Sequence, residues 1–421
     1  MSNAMIYPGS LHGCVQIPPS KSAAHRAIIC AALAKGKSVL SPIILSDDMT
    51  ATIQAVKQMG AECNLTGETL TVDGTKTLTV PNAEIDCLES GSTLRFLIPV
   101  CAAGGMSCTF TGHGRLPERP IGIYTKMLPH AGTLCQTEGG LPLTISGKLQ
   151  PGEFRLAGNV SSQFITGLML ALPLLSADST ILLTSPLESK GYVDLTIHIL
   201  RQFGIEIQTI PNGWHIRGNQ TYLARDYTIE GDWSQAAFFM SAAVLGGSLE
   251  LKGLEPQSVQ GDKAGLPIFQ ELGMQAEWKN GNLLCSPGKG VQNRTIDASQ
   301  IPDLVPAIAV TAAFIPGVTH IINAGRLRIK ESDRLASVSD GLHRLGANAE
   351  EQEDGLVIHG GSAFAGGKIN GYNDHRIVMA FSVGALRADE SITITDADSI
   401  KKSYPGFFED FAKLGGKLNV I

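Results

Sequence analysis

Six stretches of the chain are apolar on every side. Ser22–Leu33, Ser92–Ala103, Ser162–Leu175, Ser234–Leu245, Leu304–Phe314 and His375–Leu386 are rich in Ala, Leu, Ile and Met and nearly uncharged beyond their first turn. A helix without a polar face is a buried helix. A second class, Asp47–Met59, Tyr192–Phe203, Asp262–Leu272, Ser332–Leu345 and Tyr404–Leu414, repeats apolar residues at three- and four-residue spacing and predicts helices with one face on a core. Each of these stops at a glycine. With Gly132 added, the stops are Gly60, Gly132, Gly204, Gly273, Gly346 and Gly415, at intervals of 69–73 residues. Glycine is the usual residue just past a helix C-terminus. Closing glycines follow 14 or 15 residues later, at Gly74, Gly147, Gly218, Gly288 and Gly360. The intervening residues read as β-hairpins, most clearly Asn64–Gly74 and Glu350–Gly360.

Strand-like runs such as Ile181–Thr184, Leu249–Leu251 and Ile392–Thr395 follow the buried helices. One unit is therefore a buried helix, a strand, an amphipathic helix and a hairpin, and it occurs six times. The simplest arrangement is an α/β protein of two pseudo-symmetric domains with three units each. The break falls near Ala224–Gly231, and the sixth unit lacks its hairpin. Ile6–Pro18 contains strand-like residues outside any complete unit and is expected to complete the last one. The domains then span 19–228, and 1–18 with 229–421, with chain crossings near Pro18–Pro19 and Tyr227–Glu230. Met1–Ala4, ahead of a second methionine at Met5, reads as an expression scar and is set apart from the fold.

Composition narrows the function. The 421 residues carry 33 Lys+Arg against 39 Asp+Glu, a net charge of −6, and only 6% aromatics. That excludes a basic nucleic-acid footprint at the level of the whole chain, and base-stacking platforms with it. No apolar run reaches the ~18 residues of a membrane helix, and no secretory signal precedes the fold. None of the eight cysteines forms the close pair of a zinc or redox site, and most sit in apolar stretches, as in a reducing cytosol. A cytoplasmic protein is expected.

The charge that the buried helices do carry gathers at their N-termini. Lys21, Ser22, His25 and Arg26 open the first; Gly91, Ser92, Thr93 and Arg95 the second; Ser161, Ser162 and Gln163 the third. Asp232 and Asp303 precede the fourth and fifth, and Asp374, His375 and Arg376 open the sixth. Capping accounts for Ser and Asp at such places. It does not account for Lys21, Arg26, Arg95 or Arg376, because the helix dipole disfavours cations in a first turn. Free N–H groups plus these cations suit a phosphorylated or carboxylated ligand. Two further basic clusters, His113–Pro120 and Arg326–Arg334, and the pair Lys401-Lys402, would be ordinary solvated surface if taken alone.

Together, in chain order, these motifs resemble the EPSP synthases, the 3-phosphoshikimate 1-carboxyvinyltransferases. The matching stretches include Pro19-Ser20-Lys21-Ser22 with Arg26, Ser90–Arg95, Arg115–Gly122, Ser161-Ser162-Gln163, Ser189–Tyr192, Glu230-Gly231-Asp232, Ile301-Pro302-Asp303, Arg328–Arg334, Asn373–Arg376 and Lys402–Pro405. The resemblance covers nearly the whole chain. It implies two domains of three βαβαββ units, an inside-out α/β barrel with central helices. It also implies that phosphoenolpyruvate gives its enolpyruvyl group to the 5-hydroxyl of shikimate 3-phosphate and releases phosphate, with no metal or organic cofactor.

By motif position, the resemblance makes Asp303 the base for the 5-hydroxyl. It gives Lys21 and Glu331 jointly the proton at C3 and phosphate departure. Arg334 and Arg376 are expected to clamp the phosphoenolpyruvate carboxylate; Lys21, Arg119, Gln163 and Lys402 to hold its phosphate, beside the Gly91 turn. Ser161, Ser162 and Gln163 are expected on shikimate 3-phosphate, with Ser22, Arg26, Ser189, Tyr192, Asp303 and Lys330 completing its shell. A monomer whose domains close over these two small molecules is expected. Glu89, where the family usually has Asn, and Arg326, near where many members carry Asn, depart from the pattern. Both bear on substrate affinity and on sensitivity to glyphosate-like inhibitors. The sister transferases acting on UDP-N-acetylglucosamine carry a reactive cysteine at about the position of loop Gly112–Pro120, which has none here; Cys108 lies before it. A silent anion-binding homologue would have no need of Lys21, Asp303 and Glu331.

Overall fold

In the computed structural model of the chain, which describes residues 2–421, the six glycines marked as helix stops all have positive φ, between 82° and 113°. A side chain there would be strained, so each position ends a helix, and the first five turn the chain into a hairpin. The twelve helices among the described residues are α1 (Lys21–Leu33), α2 (Asp47–Gln58), α3 (Gly91–Gly104), α4 (Gly122–Met127), α5 (Ser162–Ala171), α6 (Lys190–Gln202), α7 (Trp233–Val244), α8 (Gly265–Glu271), α9 (Val305–Ala312), α10 (Arg334–Arg344), α11 (His375–Gly384) and α12 (Phe407–Lys413). The odd-numbered helices are the buried ones. In α3 every residue from Thr93 to Ala103 is buried, including Pro99. The even-numbered helices bury one face each.

Helix ends differ from the periodicity where proline intervenes. The third buried run leaves α-geometry at Ala171 and continues as a 3-10 turn, Leu172–Leu174, because Pro173 cannot donate into the ladder. The last amphipathic helix starts at Phe407 rather than Tyr404, since Pro405 and Gly406 interrupt the turn.

Among the described residues, three four-stranded sheets surround the buried helices of each unit, all six with one topology. In the second unit, Asn82–Asp86 runs parallel to Ser107–Thr111, which pairs antiparallel with Leu143–Gly147, itself in a hairpin with Thr133–Gln136. The leading parallel strand of each unit is short and half exposed, and helix periodicity does not reveal it. Three sheets borrow a strand from far along the chain. Asp226–Thr228 leads the first unit beside Lys37–Ser41, and His12–Gln16 leads the fourth beside Ser248–Lys252. Ala4–Ile6 lies between Ile392–Ile394 and Leu418–Val420 in the sixth.

The N-terminal segment thus serves two units, not the last one alone. Ala4, set apart above with the preceding residues, is fully buried in this sheet. Its alternation with Ile6 toward the core makes it part of the fold.

The chain divides into two compact units. One runs from Pro19 to Ile229; the other combines the segment up to Pro18 with Glu230–Ile421. Ile229, placed above in the second domain, donates its N–H to Ser41 O at 2.8 Å and stays with the first unit. Each unit has its own apolar core built on three buried helices. Each fully buried Leu, Ile or Phe in these cores contributes about 1.5–3 kcal/mol. Close approach sets the helix positions: a Cβ on Gly167 of α5 would lie 2.3 Å from Arg95 O of α3 and 2.3 Å from Tyr124 Oη. Among the described residues no helix is long and apolar enough to cross a membrane.

Candidate active site

In the Pro19–Ile229 unit the first turns of α1, α3 and α5 are tied together by side chains. Ser20, Ser90 and Ser161 cap the three helices. Arg95 Nη1 of α3 donates to Gln163 Oε1 of α5 at 2.8 Å, and Gln163 Nε2 donates back to Ser92 Oγ at 3.0 Å. The rest of the Arg95 fork holds Pro120 O, and its guanidinium lies 5.3 Å from the centre of the Phe164 ring. The backbone at Gly91 is where cations converge. A Cβ there would lie 2.8 Å from Arg95 Nη1 and 2.9 Å from both Nη atoms of Arg119. Two guanidinium groups lie against a helix N-terminus, reached only because Gly91 has no side chain, and such a corner has the charge and the donors to receive an anion.

Arg26 of α1 is buried among neutral acceptors. It donates to Thr196 Oγ1 at 2.7 Å, Ser22 O at 2.7 Å, Tyr192 O at 3.1 Å and Thr166 Oγ1 at 3.3 Å, and lies 5.0 Å from the Phe96 ring centre. Burial pushes its guanidinium down to about 10. A buried cation set among neutral groups is stabilised further by an arriving anion. Lys21, beside it, makes a 2.6 Å ion pair with Asp48 of α2. Ser162 is buried at the start of α5, and Ser189 sits in the left-handed region at φ 53° where α6 begins, accepting the Tyr192 N–H. Glu89 packs against loop 112–120, where a Cβ on Gly114 would lie 2.4 Å from its Oε2.

The other unit concentrates carboxylates around arginine. Arg334, 1% exposed, donates Nε to Asp374 Oδ2 at 2.8 Å, Nη1 to Asp303 Oδ1 at 3.0 Å, and Nη2 to Glu331 Oε2 at 2.8 Å and Asp374 Oδ1 at 3.2 Å. Burial works against its charge, but Asp374, Glu331 and Asp303 hold the guanidinium above its ordinary value. Four of its five N–H groups are thereby used on protein carboxylates, so only one Nη1 hydrogen is left for a ligand carboxylate.

Asp374 caps α11, accepts the Arg376 N–H at 2.9 Å and the Ser332 hydroxyl at 3.0 Å, and is fully buried. Burial opposes its ionisation, yet Arg334 and His375 hold its carboxyl below the usual carboxylate range. Lys330 Nζ lies 3.4 Å from Asp303 Oδ1. Arg376 reaches Asp303 and also Ser234 Oγ at 3.0 Å on α7, so the starts of α7, α9 and α11 meet at these side chains. Lys402 Nζ donates to Asn373 O at 2.6 Å, immediately before that cap. Arg326 Nη2 donates to Ser299 O at 2.6 Å. Arg328, from the same basic run, is held by Asp333 and Glu351 and serves the fold.

Within the first unit, then, Lys21, Ser22, Arg26, Gly91, Arg119, Ser161, Ser162, Gln163, Ser189 and Tyr192 belong to the ends of α1, α3, α5 and α6 and the loop beside them. Within the second, Asp303, Lys330, Glu331, Arg334, Arg376 and Lys402 surround the starts of α9, α10 and α11. Asp48, Ser234 and Asp374 had no site role in the sequence reading. Asp48 sits 27 residues from Lys21, and Asp374 sits 40 from Arg334. Their repeated placement near helix starts was the available signal, but pairing over such separations is a tertiary fact.

The model of the family described as EPSP synthase (3-phosphoshikimate 1-carboxyvinyltransferase) matches residues 6–411. The chain belongs to the EPSP synthase family. It is 46% identical to the 3-phosphoshikimate 1-carboxyvinyltransferase of Clostridium novyi (strain NT) and 45% identical to that of Clostridioides difficile (strain 630), in each case over 100% of this chain and 99% of the relative. Among solved structures, EPSP synthase from Acinetobacter baumannii superposes with a TM-score of 0.83 at 26% identity, covering 100% of both chains. The enolpyruvyl transferase NikO from Streptomyces tendae, at 16% identity and a TM-score of 0.82, shares the fold over 100% of this chain and 98% of its own. The EPSP synthase architecture, two domains of inside-out α/β units, is thus the one described above.

Proposed function

We propose that this chain transfers the enolpyruvyl group of phosphoenolpyruvate to the 5-hydroxyl of shikimate 3-phosphate, releasing phosphate, in the shikimate route to aromatic amino acids. The observation that carries the reading is the buried Arg334 fork, which holds two acid–base candidates, Asp303 and Glu331, in fixed positions within one family-wide match. Binding alone would not call for paired carboxylates beside cations.

The reaction is addition followed by elimination. C3 of phosphoenolpyruvate takes a proton and the acceptor oxygen forms a bond to C2 while its own proton goes to a base; the tetrahedral ketal then loses a proton from the C3 methyl and expels phosphate from C2, which restores the carbon–carbon double bond. Asp303 is the base for the hydroxyl proton, and Lys21 and Glu331 share the proton at C3 and its return. Arg95 and Arg119 at Gly91, with Gln163 and Lys402, neutralise the departing phosphate. Arg376, with the remaining Nη1 hydrogen of Arg334, takes the donor carboxylate. Ser161, Ser162, Ser189, Ser22, Arg26, Tyr192 and Lys330 hold the acceptor. The working form is a cytoplasmic monomer.

The test is phosphate release with phosphoenolpyruvate and each acceptor in turn. Release with shikimate 3-phosphate and none with UDP-N-acetylglucosamine is expected. No release with shikimate 3-phosphate would overturn the reading.

A further inference from the structure

Behind the anion-binding ends of α1 and α3 runs a chain of four side chains that the roles above leave unused. His25 Nδ1 lies 2.7 Å from Thr52 Oγ1, which lies 2.7 Å from Thr93 Oγ1, and Thr93 donates its hydroxyl to Ser90 Oγ at 2.8 Å. None of the four is more than 1% exposed. A hydroxyl has a single hydrogen, so the last bond fixes the direction of the others. Thr93 spends its hydrogen on Ser90 and accepts from Thr52; Thr52 has then spent its own and accepts from His25. The imidazole hydrogen is on Nδ1, and Nε2 keeps a lone pair, buried with no hydrogen-bond partner among the described residues.

This chain joins parts that the reaction needs in register. His25 is one turn along α1 from Lys21. Thr52 is one turn along α2 from Asp48, the ion-pair partner of Lys21. Ser90 caps α3 immediately before Gly91. We propose that His25, in its Nδ1–H form, is a positioning residue: through Thr52 and Thr93 it sets Ser90, and with it the anion-binding end of α3, relative to Lys21. The proposal rests on the function assigned above to that end.

Protonation would work against this arrangement. Burial, then Lys21 and Arg26 on its own helix, holds the imidazole well below its ordinary 6.5. From α2, Asp48 is bound to Lys21, and from α3, Arg95 is bound to Gln163 and Pro120. The Phe96 ring stands perpendicular to the imidazole, with ring centres 6.4 Å apart, and brings no charge to it. A second ring hydrogen, on Nε2, would have nothing to receive it.

Nitrogen NMR of the full chain labelled at histidine should show His25 as the Nδ1–H tautomer, with no titration between about pH 6 and pH 9. His25→Asn, whose amide can place a donor near Nδ1, should keep the KM for phosphoenolpyruvate within about threefold of the unaltered protein. His25→Leu should raise it about tenfold, the upper worth of one ordinary hydrogen bond, with a smaller change in kcat. Thr93→Val, which breaks the chain one link on at nearly constant shape, should match His25→Leu and provides the reading if that variant does not fold. An Nε2–H tautomer, a ring that titrates in this window, equal impairment of His25→Asn and His25→Leu, or an unchanged KM in Thr93→Val would overturn the proposal. The tautomer and titration need no turnover, so a failure here is distinct from failure of the unaltered protein to release phosphate.

Discussion

Arg376 grips Asp303 at two points: Nη2 donates to the carboxylate Oδ2 at 3.1 Å, and Nη1 donates to the backbone carbonyl at 2.9 Å. A planar fork can hold a side chain and its own main chain at once; an ammonium of similar length cannot. Arg376→Lys should therefore lower kcat as well as raise the KM for phosphoenolpyruvate, because Asp303, proposed as the base, loses its orientation together with the proposed clamp on the donor. A charge-assisted hydrogen bond is worth about 1.5–3 kcal/mol, so steady-state kinetics should show a loss of roughly 10- to 100-fold in kcat/KM. A pure KM effect would mean that the grip on Asp303 is dispensable.

Asp303→Ala and Glu331→Ala should each lower kcat by at least about 10²-fold, the usual worth of a positioned acid or base, with weaker effects on substrate binding measured by calorimetry. Near-native turnover of Asp303→Ala would remove it as the base.

Arg334→Met tests stability rather than chemistry. It would leave Asp374 buried, with Asp303 and Glu331 mostly buried beside it, and without their shared cation. Breaking a buried pair on one side costs about 3–5 kcal/mol. A urea midpoint unchanged from the unaltered protein would contradict the pairing. The Asp374 carboxyl is held below its unfolded value, so its contribution is fully present above about pH 4 and is lost as pH falls toward its folded value. Removing Arg334 should therefore also flatten the acid limb of the stability curve.

Gly91→Ala should separate stability from affinity. Alanine is the better helix former, by up to about 1 kcal/mol in a helix interior, which offsets part of the cost of disturbing the Arg95 bonds to Gln163 and Pro120, so the urea midpoint should change little. The new Cβ would displace the Arg95 and Arg119 guanidinium groups. The KM for phosphoenolpyruvate should rise by about tenfold or more, the cost of weakening one charge-assisted contact. Tighter binding would show that the corner does not receive the donor's phosphate.

His25 gives a second pH dependence of stability. Its folded value lies below the unfolded 6.5, so as pH falls below 6.5 the unfolded chain takes up a proton that the folded chain refuses. Stability should decline in that window with a slope of up to about 1.4 kcal/mol per pH unit. In His25→Asn that slope should vanish; its persistence would assign it elsewhere.

Much of this was readable from the residues because the repeat is written in hydrophobicity and glycine. The stops at Gly60 and Gly346 need positive φ, and few other residues tolerate it. The buried helices announce themselves by lacking a polar face, and Arg26, Arg95 and Arg376 by standing within the first two turns, near the end where a dipole disfavours cations. What could not be read depends on long-range pairing. Glu153–Leu156 is four residues whose only commitment is a parallel neighbour 27 positions on, Thr180–Leu183. Asp48 looks like one more acidic residue at a helix start until Lys21 lies against it. The extent to which Arg334 is already occupied was equally invisible, since a motif names the arginine and not its three carboxylates.

The sheet that holds Ala4–Ile6 between Ile392–Ile394 and Leu418–Val420 also sets an order of assembly during synthesis. The Pro19–Ile229 unit has every strand of its three sheets once residue 229 has left the ribosome. The strands at Ala4–Ile6 and His12–Gln16 emerge before the other described strands, yet their neighbours come from the last half of the chain. At roughly 5–20 residues per second, Ala4–Ile6 waits on the order of 10 s or more for Leu418–Val420 after the other unit could have closed. This early strand is among the last to be buried, and during that interval its Met5 and Ile6 are exposed to any chaperone that recognises a nascent apolar strand.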